Sequence, residues 1–356
     1  MAILIAIVSA YAHLADLPLT IDSHELERLE QPVSSEFTRV TTLVRLRGSG
    51  EDGVGEDVTY SAEDHDRFAA HGPLLPLAGE WTIDSFSGHL DGLELFPEPP
   101  GMAAFRDYRR WALESAALDL ALRQAGTSLA DAVAREPRSV RFVVSMRLGE
   151  PSSLEPVERV LALYPKTMFK LDAVPDWTRE LVAELAALGV VDSVDLKGAY
   201  QGTVVDNPPN PELYRLVAEG FPEAWIEDPA LTDDTDPVLE SHRDRITWDA
   251  PIHSVADIEA LPFPPRTINI KPSRFGSLRR VGDAYDYCAE RGIAVYGGGQ
   301  FELGVGRGQI QYLASLFHPD TPNDVAPGGY NISPPKPGLP TSPLEPTPAP
   351  TGFRWG

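Results

Sequence analysis

Asp195, Glu227 and Asp249 each close a short apolar run, and the next such run, Thr267-Ile268-Asn269-Ile270, closes on Lys271. The first three runs read Val191-Asp192-Ser193-Val194-Asp195, Ala224-Trp225-Ile226-Glu227 and Ile246-Thr247-Trp248-Asp249. Roughly 20 to 30 residues separate one run from the next, room for a crossover helix each time. The spacing predicts consecutive βα units whose strands aim their C-terminal ends at one face, where residues far apart in sequence converge. An acid at a strand end, taken singly, is ordinarily a helix cap or a solvated loop residue. Three in register would repel unless a cation sat among them. A donor set of oxygens, without Cys or His, suits a hard ion such as Mg2+.

The elements that must position these residues alternate along the chain. Apolar runs and helical patterns predict a strand at 141–146, a helix near 152–163, a strand at 167–171, a helix near 176–188, the four runs above, and a seventh strand from Gly292 to Tyr296. A helix at 302–316 follows, and an eighth strand is expected near 322–326. Seven or eight such repeats favour a (β/α)8 TIM barrel over an open doubly wound sheet. Upstream, Val40 to Arg47 and the return after Gly48–Gly55 predict an antiparallel sheet, Trp81 to Ser87 a short strand, and 105–125 a helix with one broad apolar face. The expected organisation is an N-terminal α+β capping domain at 1–104, a barrel at 105–332 with the 105–125 helix linking the two, and a Pro-rich tail at 333–356. That tail is either disordered or laid along the surface on Phe353 and Trp355.

Composition excludes several partners. The chain has 356 residues and a formal net charge of -23, which argues against nucleic acid and against anionic membrane surfaces. A small carboxylate substrate would need a local positive focus, which a metal ion and lysines would supply. Cys288 stands alone, so neither a disulfide framework nor a cysteine metal site is expected, and the reading is a reducing, cytoplasmic protein. Residues 1–12 lack the basic flank of a secretory leader and read as a buried first strand.

With these residues in view, the sequence resembles the enolase superfamily, and within it the muconate lactonizing enzyme subgroup, over nearly its whole length. Arg39 to Arg47 followed by Gly53-Val-Gly-Glu56 is similar to the capping domain, and Arg110 to Asp119 to the linking helix. Asp195, Glu227 and Asp249 fall on the metal-ligand positions, Lys271 in Ile270-Lys-Pro-Ser-Arg-Phe-Gly276 on the sixth-strand lysine, and Tyr296 to Glu302 on the seventh-strand segment. The resemblance implies a Mg2+-dependent enzyme that removes a proton next to a carboxylate. It also allows association of like subunits into a homo-oligomer.

Two departures bear on the chemistry. The family usually carries Lys-x-Lys on the second strand, where this chain has Lys170-Leu171-Asp172. Lys170 matches the lysine that contacts the substrate carboxylate, and Asp172 replaces the base. On the third strand, Asp195-Leu196-Lys197 places an ammonium two residues beyond a metal ligand. Asp172 and Lys197 either pair, as a lysine moved by one strand, or sit as a solvated rim pair. With Lys271 as base or acid, a lyase, dehydratase or cycloisomerase is expected. With Lys197 as second lysine, an o-succinylbenzoate synthase-like or dipeptide epimerase-like enzyme is the alternative, and a barrel that binds metal and ligand without turnover is another. Arg274 is expected to bind a distal anion or to face solvent. His253 would line the mouth or be solvated, His13 and His24 lie where the cap sets specificity, and Glu302 borders the site or caps a helix.

Overall fold

The computed structural model describes residues 9–33, 37–200, 207–331 and 335–356. The expected strand at 1–12 falls largely outside them, and Ala12 already belongs to a turn. After β1 (Pro18–Ile21) comes a three-stranded antiparallel sheet of β2 (Ser23–Pro32), β3 (Thr38–Gly48) and β4 (Glu51–Asp57). β3 forms because Val40, Thr42, Val44 and Leu46 alternate inward and are all buried, a period of two that suits an extended strand with one covered face. Ser49 and Gly50 turn the chain back at positive φ of 51° and 81°. β5 (Gly79–Thr82) pairs antiparallel with β1.

The strand expected over Trp81 to Ser87 ends at Thr82, where the helix Ile83–Asp91 begins. Thr82 and Ser85 cap each other's backbone reciprocally, which satisfies donors that a strand would have spent on a neighbour.

The helix Phe105–Gln124 lies across β4. Its contact stripe of Ala112, Ala116 and Leu120 meets Gly53 and Gly55, and a Cβ on Gly55 would stand 2.0 Å from the carbonyl of Ala112. Glycine is therefore required for the backbones to approach this closely. Leu113, Leu118, Leu120 and Leu122 are buried to 1% or less, each contributing about 2 kcal/mol of apolar transfer.

The second body is a curled parallel sheet in chain order: β6 (Val144–Met146), β7 (Phe169–Asp172), β8 (Val191–Asp195), β9 (Trp225–Glu227), β10 (Ile246–Trp248), β11 (Thr267–Ile270) and β12 (Ala294–Gly297). Helices join its strands, as at Arg179–Leu188 and Pro211–Gly220, where Thr178 and Asn210 cap the first turns.

The eighth strand expected near 322–326 is reduced to single bridges: Asn323 pairs with Phe142 beyond β6, and Asp324 with Gly298 beyond β12. Asn323 supplies with its side chain what a longer strand would supply with backbone. Its Oδ1 accepts from the Gly297 N–H at 2.6 Å and its Nδ2 donates to the Arg141 carbonyl at 3.0 Å.

The tail is laid against the body. Phe353 is fully buried edge-on to Trp111, and Asp119 accepts from the Phe353 N–H and the Arg354 guanidinium, both at 2.8 Å.

Candidate active site

Strand register brings the acids together. Asp172 is level with Asp195 across β7 and β8, and Asp195 with Glu227 across β8 and β9, so three carboxylates leave adjacent strand ends side by side. Asp249 follows β10 and Lys271 follows β11 at the same face. Carboxylate oxygens of Asp195, Glu227 and Asp228 lie within 4.8 Å of one another, and all three residues are buried. Asp228 is bonded to backbone: its two oxygens accept the N–H groups of Asp249 and Ala250, each at 2.8 Å. Asp249 is held by side chains, with Lys271 Nζ at 2.8 Å, Arg274 Nη1 at 2.6 Å and the Tyr200 hydroxyl at 3.2 Å.

The other two lysines sit among the acids. Lys170 donates to Glu227 and lies 3.6 Å from both Asp195 and Asp324, and Glu227 also accepts from the Tyr296 hydroxyl at 2.5 Å. Lys197 donates to Asp195 and is 3.4 Å from Asp172. Six carboxylates here face the four cations Lys170, Lys197, Lys271 and Arg274. The donors are the hard oxygens that a divalent ion takes. Lys197, Asp228 and Phe301 have positive φ of 55°, 48° and 58°, so three non-glycine residues with strained backbone gather at the strand ends.

Known proteins are similar to this chain in sequence and in fold. The model for Domain of unknown function (DUF8230) N-terminal domain matches residues 12–132, and that for Domain of unknown function (DUF8230) C-terminal domain matches residues 136–332. An o-succinylbenzoate synthase from Geobacillus stearothermophilus is 31% identical over 228 residues, covering 60% of this chain and 58% of that one, so the chain spans less than two thirds of that relative. A solved enolase superfamily member from Listeria innocua superposes with a TM-score of 0.67 at 20% identity, over 87% of this chain and 86% of that one. An N-succinylamino acid racemase from an Amycolatopsis species is 30% identical over 335 residues, 87% of this chain and 85% of that one. The chain belongs to the enolase superfamily of enzymes.

Buried charges join the N-terminal sheet to the segment after β12. Glu56 of β4 accepts the N–H groups of Leu303, Gly304 and Gly306 at 2.7 to 3.0 Å, and the buried Arg39 guanidinium donates to the carbonyls of Val58, Thr59, Gln300 and Phe301. The segment after β12 is thus fixed by the cap.

The electrostatics separate the three lysines of this superfamily site. Burial pulls Lys271 below the usual lysine range, aided by Arg274 and Lys170, although Asp249 opposes the shift. Like-charge repulsion contributes, but burial is the larger cause. Lys170 and Lys197 go the other way: burial opposes their charge, yet Glu227 and Asp195 around the first, and Asp172 and Asp195 around the second, hold both well above the ordinary value. Burial pushes Asp228 up to about 7, with Asp249 and Asp195 adding to it. Asp195 is held at about 2, since Lys197 and Lys170 outweigh the burial that would raise it.

Several expectations change. Arg274 is buried and spends its guanidinium on Asp249 and the Tyr200 hydroxyl, so it neither faces solvent nor reaches for a distal anion. His253 turns back to the Ala250 carbonyl at 3.1 Å, and His24 to the Gly72 carbonyl at 2.8 Å. Glu302 pairs with Arg307 at 3.0 Å and accepts from the Gln300 N–H, while Gly304 stands at the start of the helix Val305–Phe317. Asp172 and Lys197, at 14% and 15% side-chain exposure, are not a solvated rim pair. Asp228, Tyr296 and Asp324 were not legible as site residues. The Glu227-Asp228 doublet was the available signal for the first, a second acid directly after a strand-end acid.

Proposed function

We propose that this enzyme abstracts a proton from the carbon next to the carboxylate of a small organic acid, with Mg2+ as its metal, and that the curled sheet with Asn323 and Asp324 in the eighth position is a (β/α)8 barrel. The observation that carries the reading is the convergence of Lys170, Lys197 and Lys271 on one buried group of carboxylates at consecutive strand ends. The names of the relatives, o-succinylbenzoate synthase and N-succinylamino acid racemase, support a carboxylate as substrate.

Asp195, Glu227 and Asp249 would hold the ion, with Asp228 bracing the Asp249 segment. When bound, a divalent ion supplies Lewis-acid stabilisation of the negative charge that develops on the substrate carboxylate. Lys271 takes the proton as the free amine and becomes the ammonium, since it is the lysine whose environment disfavours the charged form. Lys170 and Lys197 stay protonated and face the developing charge, where fixed donors in a water-poor site act most strongly. One base on one face suits a lyase, dehydratase or cycloisomerase.

A second reading has Lys197 working from the other face, as racemisation or epimerisation requires. The 3.4 Å contact between Lys197 and Asp172, the residue at the usual base position, favours it.

Exchange of the substrate α-proton for deuterium, followed by NMR in heavy water with Mg2+ and a panel of N-acylamino acids and succinylated acids, tests both. The wild type labels a substrate, and Lys271→Ala slows labelling by about 10² or more. Lys197→Met slows labelling without changing which enantiomer is labelled on the one-base reading, and abolishes it for one enantiomer on the two-base reading. Tight Mg2+ and carboxylate binding without any exchange would mark a binding protein instead.

A further inference from the structure

A cavity of about 640 Å³ opens over the C-terminal ends of β6, β7 and β12, with Tyr60 of the cap on its wall. In a chain of net charge -23, three arginines line it: Arg147 just past β6, Arg159 on the helix Glu155–Leu163, and Arg307 on the helix Val305–Phe317. Asp172 and Asp324 also line it, and each lies against the lysine cluster behind, 3.4 Å from Lys197 and 3.6 Å from Lys170 respectively. Their negative charges are thus met from within, while the arginines present theirs to the cavity.

None of the three arginines is strongly committed. Arg307 has a side-chain exposure of 13% and reaches Glu302 through Nη2 at 3.0 Å, yet its buried Nε–H meets no acceptor. An unsatisfied buried donor of this kind is costly, and a ligand oxygen would satisfy it. Arg147 lies 3.4 Å from Asp172, and Arg159 lies 3.3 Å from an exposed Glu155. Pairs this long, with half-exposed arginines, are weak, so either side chain can swing to a better partner. Arginine forks match carboxylates in geometry as well as charge.

We propose that this cavity is a second anion subsite, in which Arg147 and Arg159, with Arg307 at the inner wall, receive a distal carboxylate of the substrate. The inference rests on the functional reading above, which puts the reacting carboxylate at the lysine cluster behind Asp172 and Asp324. It makes the substrate a dianion and these arginines its specificity determinants.

Calorimetric titration of the Mg2+-loaded protein with glutarate and with its neutral-ended isostere glutaramate tests it. Wild type should bind glutarate at least tenfold more tightly. The Arg147→Gln/Arg159→Gln variant should bring that ratio towards one while leaving glutaramate affinity unchanged. Both residues are about half exposed, so the variant should fold, and an unchanged melting temperature checks this. Equal affinities in wild type, no binding of either acid, or a glutarate preference that survives the double substitution would each overturn the subsite. The α-deuterium exchange experiment fails or succeeds separately. A protein that prefers glutarate but exchanges no proton keeps the subsite and loses the proposed reaction, and one that exchanges protons without the preference does the reverse.

Discussion

Asp228 and Asp249 are adjacent acids held in different ways, and the difference predicts how each responds to substitution. Both Asp228 oxygens receive backbone N–H groups at fixed positions, so the carboxylate works as a brace for the turn after β10. Asp249 is surrounded by Lys271, Arg274 and Tyr200, side chains that can move aside for an ion. Asp249→Asn should therefore weaken Mg2+ binding by well over 10²-fold in a titration, and Asp228→Asn by about 10- to 100-fold, the usual loss when a residue that orients a ligand is altered. The reverse order would transfer the ligand role to Asp228. Sequence order alone favoured Asp249, because it closes its apolar run as Asp195 and Glu227 close theirs. What could not be read there was the local backbone: the positive φ of Asp228 and of Lys197 turns each side chain away from simple alternation, and neither residue is a glycine that would have announced it.

At the scale of elements, the joint between the two edges of the sheet is a hydrogen-bond network where a strand was expected. Asn323 Nδ2 donates to the carbonyls of Arg141, His318 and Thr321, which leaves its Oδ1 as an acceptor for the Gly297 N–H and for His318 Nδ1 at 2.6 Å. With the ring neutral, His318 Nε2 accepts from the Tyr285 hydroxyl 3.2 Å away. Burial disfavours the charged ring and depresses its pKa to about 4 from an ordinary 6.5. As pH falls through that interval the unfolded chain takes up a proton that the folded one refuses, so stability drops with acidification and the loss is complete near pH 4. The shift corresponds to roughly 3 kcal/mol. Urea unfolding from pH 7 to 4 should show this slope in wild type and lose it in His318→Gln, which starts lower at pH 7 for want of one bond. Parallel slopes would mean that the histidine binds its proton equally in the folded and unfolded chains. Periodicity found the seven parallel strands because their apolar runs are continuous, but it had no purchase on a strand position filled by two residues and an amide side chain. The stretch from Trp81 to Ser87 failed for a related reason: its apolar pattern fits a strand, and the Thr82 and Ser85 caps decide for a helix.

For the whole molecule, the central question is how a chain with 53 acidic and 30 basic side chains tolerates burying Asp195, Glu227, Asp228 and Asp249 together. Lys170, Lys197, Lys271 and Arg274 offset that charge, and a divalent ion would be a further positive partner for the same carboxylates. Two effects of Mg2+ on stability follow, and they separate experimentally. General screening of a net charge of -23 rises gradually with ionic strength and is shared by Na+ at matched strength. Occupation of one site instead saturates, adding about 2.7 kcal/mol when the ion is at 100 times its dissociation constant. In a chain of this size that amounts to a rise of about 5 °C in melting temperature. Wild type should show a saturable Mg2+ increment above the Na+ curve. Asp195→Asn should keep the gradual part and lose the saturable one, because Asp195 lies at the centre of the cluster with Lys170, Lys197 and Glu227 around it. Identical Mg2+ curves for the two proteins would reduce the ion to a counter-ion of the surface, and the lysines with Arg274 would then be the electrostatic partners of the buried acids.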